Sequence, residues 1–181
     1  MGNDLKKETS KHLEELRCKN VANHRTYAEQ FALEQRAFVN AMVDFARSFR
    51  RRLPTGDVKA WEYLAAQGYE KYFREWHSLT NKWADWEGLC NFFVSAYFYE
   101  LPVVKISSQL YAKLVTDNRP IESGDSMDLK HLSLAIPVAH LVLTDRKMAN
   151  RIKELGIDKE WNTAVFSEST IDELFAEIET I

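Results

Sequence analysis

Apolar and polar positions fall into two regimes that meet near residue 100. Met1 to Asn20 mixes acids and bases, as in KKETSKHLEELRCK, and reads as a solvated helix or a frayed tail. Tyr27, Phe31, Phe38, Met42, Phe45 and Phe49 then recur at helical steps and predict one helix from Asn23 to Arg52. At ~1.5 Å per residue it would be roughly 45 Å long, so it either spans the whole protein or packs on another chain, a homodimer partner or a different protein. Asp57 can cap a helix from Val58 to Leu79, and Thr80 or Asn81 a second one running to Tyr99.

From Pro102 the period changes. Pro102 to Ile106 reads as a strand, and Ser107 or Ser108 caps a helix to Thr116. Asp125 or Ser126 caps a helix over Met127 to Ile136 that Pro137 stops, and the run His140 to Thr144 is a short buried strand. Arg146 to Leu155 is helical and ends at Gly156, Thr163 to Phe166 is a last strand, and Thr170-Ile-Asp-Glu173 forms a capping box for a helix to Ile181. A strand between two helices favours a parallel sheet. The expectation is one domain over residues 1–181, helical in 1–100 and α/β in 101–181.

The chemistry lies where the acids fall. Asp128 opens a helix and Asp145 follows the C-terminal end of a strand, the edge at which sites collect in open parallel sheets. His131, three residues on, shares a helix face with Asp128. Paired carboxylates are hard oxygen ligands for magnesium or manganese. Each residue also has a simpler role: Asp125 as an N-cap, Asp128 as a first-turn acid favoured by the helix dipole, Asp145 as the cap of the next helix, His131 as a packed or surface side chain.

An acid opening a helix (Asp128), the LSLA run Leu132 to Ala135, the strand Leu141 to Leu143, then Thr144 and Asp145 form a pattern that resembles the C-terminal half of a PIN-like domain, a family of metal-dependent nucleases. The resemblance covers Leu101 to Phe166. It implies a three-layer α/β fold with a short parallel sheet and a large helical contribution. It further implies Mg²⁺ or Mn²⁺ held by Asp128, Asp145 and Asp125, with His131 and Thr144 in support. Phosphate contacts would come from Arg146 and Lys130, with Lys105 and Arg119 as further candidates. The activity implied is endoribonucleolytic cleavage of single-stranded RNA. Such domains begin with a strand carrying an acid, whereas this chain begins MGNDLKKETSKHLEELR. The chain is therefore expected to be a fragment of a longer protein, a variant that keeps only a remnant of the site, or a non-catalytic scaffold whose open sheet edge and cleft bind a partner.

Composition narrows the rest. The 181 residues are 45% hydrophobic and 28% charged, ordinary for a soluble globular chain, and the net charge of −3 gives no overall attraction for nucleic acid. Any RNA contact would use local patches, such as Arg47, Arg50, Arg51 and Arg52, which otherwise read as a solvated helix end. Cys18 and Cys90 are too few for a disulfide scaffold and fit a reducing cytosol. No apolar run reaches about 18 residues and no signal peptide is evident, so the expected location is cytoplasmic, without a membrane span. HExxH, GxGxxG, GxxxxGKS and GxSxG are all missing, which argues against zincins, dinucleotide binders, P-loop proteins and α/β-hydrolases. The aromatic residues between Trp61 and Tyr99 can stack unpaired bases, but at helical spacing they read first as core.

Overall fold

The structure is a computed structural model, and it describes residues 2–37, 40, 70–82 and 86–179. It divides into two compact units, Met1–Gln35 with Glu100–Ile181, and Arg36–Tyr99. The architecture is mostly helical with a short two-stranded parallel sheet, broadly α/β.

In the first unit, helix α1 (Gly2–Ala22) packs along α5 (Pro102–Thr116) and touches α6 (Asp125–Ala135). It is no frayed tail: Leu13 and Asn20 are buried and Leu16 packs against the core. Asn20 donates through Nδ2 to Gln30 Oε1 at 3.1 Å and to the Val115 carbonyl at 3.2 Å, so a polar residue closes the buried end of that face. The helix expected from Asn23 starts later. Residues 23–24 form a turn with His24 at φ 50°, and helical backbone runs over 27–37 with the Tyr27 and Phe31 rings stacked 5.9 Å apart. Phe38, Met42, Phe45, Phe49 and the arginines at 47 and 50–52 lie outside the described residues.

Pro102 to Ile106, expected as a strand, is the opening of α5. Proline is well placed in a first helical turn, where its missing N–H costs nothing. Ile106, Leu110 and Leu114 are buried at a spacing of four, which draws one apolar stripe along the helix. Ser107, expected as a cap, lies inside the helix and donates to the Val104 carbonyl at 3.1 Å.

Strands β1 (Leu141–Leu143) and β2 (Ala164–Phe166) pair in parallel with Leu141 opposite Ala164, and α7 (Arg146–Glu154) and α8 (Ile157–Glu160) connect them. The joint between α7 and α8 is Gly156 at φ 69°, a conformation glycine adopts without strain. Thr163, buried before β2, donates to the carbonyls of Ile136 at 2.8 Å and Ala139 at 3.0 Å, tying the end of α6 to the sheet. One core joins Leu13, Leu110, Leu132, Val142, Met148, Ile152 and Val165. The capping box expected at Thr170 to Glu173 falls earlier: Ser167 and Thr170 cap a 3₁₀ turn (Glu168–Thr170) ahead of α9 (Ile171–Ile178).

In the second unit the described elements are α2 (Glu70–Thr80), α3 (Trp86–Phe93) and α4 (Ala96–Tyr99). Thr80 donates back to the Trp76 carbonyl at 2.7 Å and so closes α2. The single helix expected to reach Tyr99 is broken at Ser95, whose hydroxyl donates to the Phe92 carbonyl at 2.6 Å. The break lets Phe98 fold back edge-on to Phe93 at 5.1 Å and to Phe92 at 5.8 Å, burying Phe93 and Phe98 as core. Tyr97 stays exposed. Residues 57–69, with Trp61, Tyr63 and Tyr69, and Trp83 lie outside the described residues. Among the described residues no helix is long and apolar enough to cross a membrane.

Candidate acidic site

The acids predicted from sequence stand at two helix starts. Asp125 is the first residue of α6, after an N-cap at Gly124 that makes no side-chain capping bond. Neither Asp125 nor Ser126 is the cap. Asp125 is instead buried, accepts the Glu122 amide at Oδ2 over 3.0 Å, and has Oδ1 3.9 Å from the Arg151 guanidinium.

Asp145 leaves β1 and caps α7, its Oδ1 accepting the amides of Lys147 at 2.7 Å and Met148 at 3.1 Å. An acidic cap complements both the orphan amides and the positive end of the helix dipole.

Asp128, one turn into α6, is partly buried. Its carboxylate has no hydrogen-bond or ion-pair partner among the described residues. A Cβ placed on Gly124 would sit 3.4 Å from Asp128 Oδ2, so this carboxylate lies back over the start of its own helix. Burial pushes the Asp128 carboxyl above the ordinary carboxylate range, the charges of Asp145 and then Asp125 push it further, and His131 offsets part of this. Asp145, Asp125 and His131 thus lie within electrostatic reach of Asp128.

The other candidates divide. Thr144 serves the sheet, its amide donating to the Phe166 carbonyl at 3.0 Å. Lys130, His131 and Arg146 are exposed. Lys105 is held between Glu100 at 2.9 Å and Glu160 at 2.7 Å, and Arg119 lies 2.9 Å from Asp117 and 3.7 Å from Glu154. Of the four bases considered for phosphate, only Lys130 and Arg146 carry no ion pair among the described residues.

Sequence reasoning missed Arg151. Its side chain is fully buried under the site, with Nε 3.5 Å from Asp117 Oδ2 and Nη1 3.9 Å from Asp125 Oδ1. Nε and Nη2 have no hydrogen-bond partner, so these contacts act through charge. Burial alone would push Asp117 up, but the Arg119 amide and guanidinium and the Arg151 charge together hold it below its ordinary value. A signal existed: Arg151 falls three residues after Met148 and four before Leu155, on an apolar helical face where a charge needs a partner.

Among the described residues no three His, Cys, Asp or Glu side chains converge to hold a metal ion. Asp125 has its oxygens committed to Glu122 and Arg151, leaving Asp128 and the second oxygen of Asp145. Two carboxylates do not make a closed cage. A hydrated Mg²⁺ or Mn²⁺ keeps several waters and takes one or two protein carboxylates. Compared with known proteins, the chain matches no family model, no curated protein and no solved structure.

Proposed function

We propose that the Asp128–Asp145 pair binds Mg²⁺ or Mn²⁺ and that the chain is a metal-dependent ribonuclease of PIN-like type acting on single-stranded RNA, or the remnant of one. What supports this reading is a partly buried Asp128 carboxylate without hydrogen-bond or ion-pair partner among the described residues, raised by burial and by the charges of Asp145 and Asp125, with His131 in partial offset. Like-charged carboxylates held together are costly in the fold, and a divalent ion relieves that cost.

When bound, the ion would lower the pKa of a water and stabilise charge on the phosphate. The chain's own part is to fix the two carboxylates at neighbouring helix starts. Lys130, two residues beyond Asp128, and Arg146, directly after Asp145, are the exposed bases available to orient a phosphodiester.

The second reading is a non-catalytic scaffold or partner-binding protein. It is favoured by the structural work of Asp125 and Asp145 at the helix starts, and by the exposed Leu143 on the two-stranded sheet.

The test is Mn²⁺ calorimetry and cleavage of an unstructured RNA oligonucleotide, each on wild type and Asp128→Asn. The nuclease reading expects one binding site and a chelator-sensitive cleavage, both lost in the variant. Binding without cleavage would leave a remnant, and no binding by wild type would favour the scaffold.

A further inference from the structure

We infer that Arg151 is the positioning residue of the acidic site, its guanidinium fixing the start of α6 relative to the start of α7; this rests on reading Asp128 and Asp145 as the cation-binding pair. Arg151 projects from α7, whose N-cap is Asp145, and reaches Asp117, the C-cap of α5, and Asp125, the first residue of α6. One planar group thus meets all three helices that surround the acids.

Stability does not account for it. A fully buried arginine with two guanidinium nitrogens lacking hydrogen-bond partners among the described residues carries a desolvation cost that contacts at 3.5 and 3.9 Å offset poorly. Apolar side chains in place of the whole group, guanidinium and both carboxylates together, are often as good or better, whereas removing Arg151 alone leaves Asp117 and Asp125 without that compensating charge. What only the guanidinium supplies is breadth, since its nitrogens reach two carboxylates at once where lysine offers a single point charge.

The consequence is a division of labour among the acids. Arg151 holds Asp125 as a structural carboxylate, and Asp125 holds the Glu122 amide and so the turn into α6. Asp128, one turn on, is left to face outward chemistry beside Asp145.

The test uses the full chain with Arg151→Lys and Arg151→Met, read by hydrogen exchange, urea denaturation and the electron paramagnetic resonance signal of free Mn²⁺. The lysine variant is expected to fold with a near wild-type midpoint and unchanged exchange at Leu114 and Ile152, while the Glu122 amide exchanges about tenfold faster. Mn²⁺ affinity is expected to fall at least about tenfold, as when a group orienting a ligand is lost. Wild-type Glu122 protection in the lysine variant would overturn the inference. Should the methionine variant fail to fold, the lysine variant decides. If wild type binds no Mn²⁺, the cation reading fails on its own, and Glu122 exchange still decides whether Arg151 sets the turn.

Discussion

Glu14 of α1 accepts the Ile121 amide at 2.9 Å, joining the N-terminal helix to the turn that leads into the acidic site. The same carboxylate receives Arg17 through Nη2 at 2.6 Å and Nε at 2.8 Å, and Arg17 in turn donates to the Asp117 and Asn118 carbonyls, both at 3.3 Å. A fork of two side chains on α1 thereby gathers the backbone of residues 117–121. These are bidentate, charge-assisted contacts, the stronger kind.

Glu14 consequently has a pH signature. Hydrogen bonds from Arg17, outweighing burial, and the Ile121 amide lower its carboxyl from 4.5 to about 2. A depressed acid stabilises the fold fully above its unfolded value and loses that contribution as pH falls through the folded one. Glu14→Gln is therefore expected to cost about 1 kcal/mol at pH 7, discounted because the pair is partly solvated. In urea titrations the gap to wild type should close as pH falls from 4.5 toward 2. A gap that stays constant across that window would remove the charge-based account.

Asp128 should behave in the opposite sense. Its carboxyl is raised, so the ionised form is penalised in the fold; the penalty is full above the folded value and vanishes below the ordinary one. Without added metal, Asp128→Asn is expected to raise the melting temperature at pH 7, by the equivalent of less than about 1 kcal/mol because the group is partly exposed. The advantage should disappear in acid. With Mn²⁺ present the order reverses on the proposed function, because only wild type gains from binding. A variant less stable than wild type at pH 7 without metal would contradict the crowding of charge inferred at this site.

The C-terminal half was the more legible part because its local rules agree with one another. Asp145 as a cap, the short apolar β1, Gly156 as a helix stop and the parallel relation of two strands separated by a helix each follow from a few neighbouring residues. Pro102 to Ile106 misled because Val103, Val104 and Ile106 favour strands locally, whereas Leu110 and Leu114, further along, set the helical face. The partners of Arg151 and the docking of α1 were not legible for a different reason. Both depend on partners distant in sequence, with Arg17 reaching a carbonyl 100 residues away.

Asn20 offers a test of that long-range docking. It is buried and links Gln30 to the Val115 carbonyl, so Asn20→Ala leaves polar groups without their donor inside the first unit. The expected loss is about 1–3 kcal/mol, the cost of an unsatisfied buried group. Asn20→Leu should do no better, since added apolar area cannot supply the missing donor. Native-state hydrogen exchange would locate the effect, with protection falling along α1 and the end of α5. A loss below a few tenths of a kcal/mol would mean that α1 docks without help from Asn20.

Asp145 carries two roles that substitutions can separate. As the cap of α7 it needs only an acceptor, which asparagine also provides; as a cation ligand it needs a charge. Asp145→Ala is expected to cost about 0.5–2 kcal/mol through the lost cap, while Asp145→Asn should stay close to wild type in urea midpoint. If the proposed function holds, both variants lose Mn²⁺ affinity alike, so asparagine uncouples binding from stability. Should Asp145→Asn instead retain wild-type Mn²⁺ affinity, Asp145 is a helix cap and nothing more. The cation would then rest on Asp128 without its partner, too few ligands for a specific site, and the scaffold reading would take precedence.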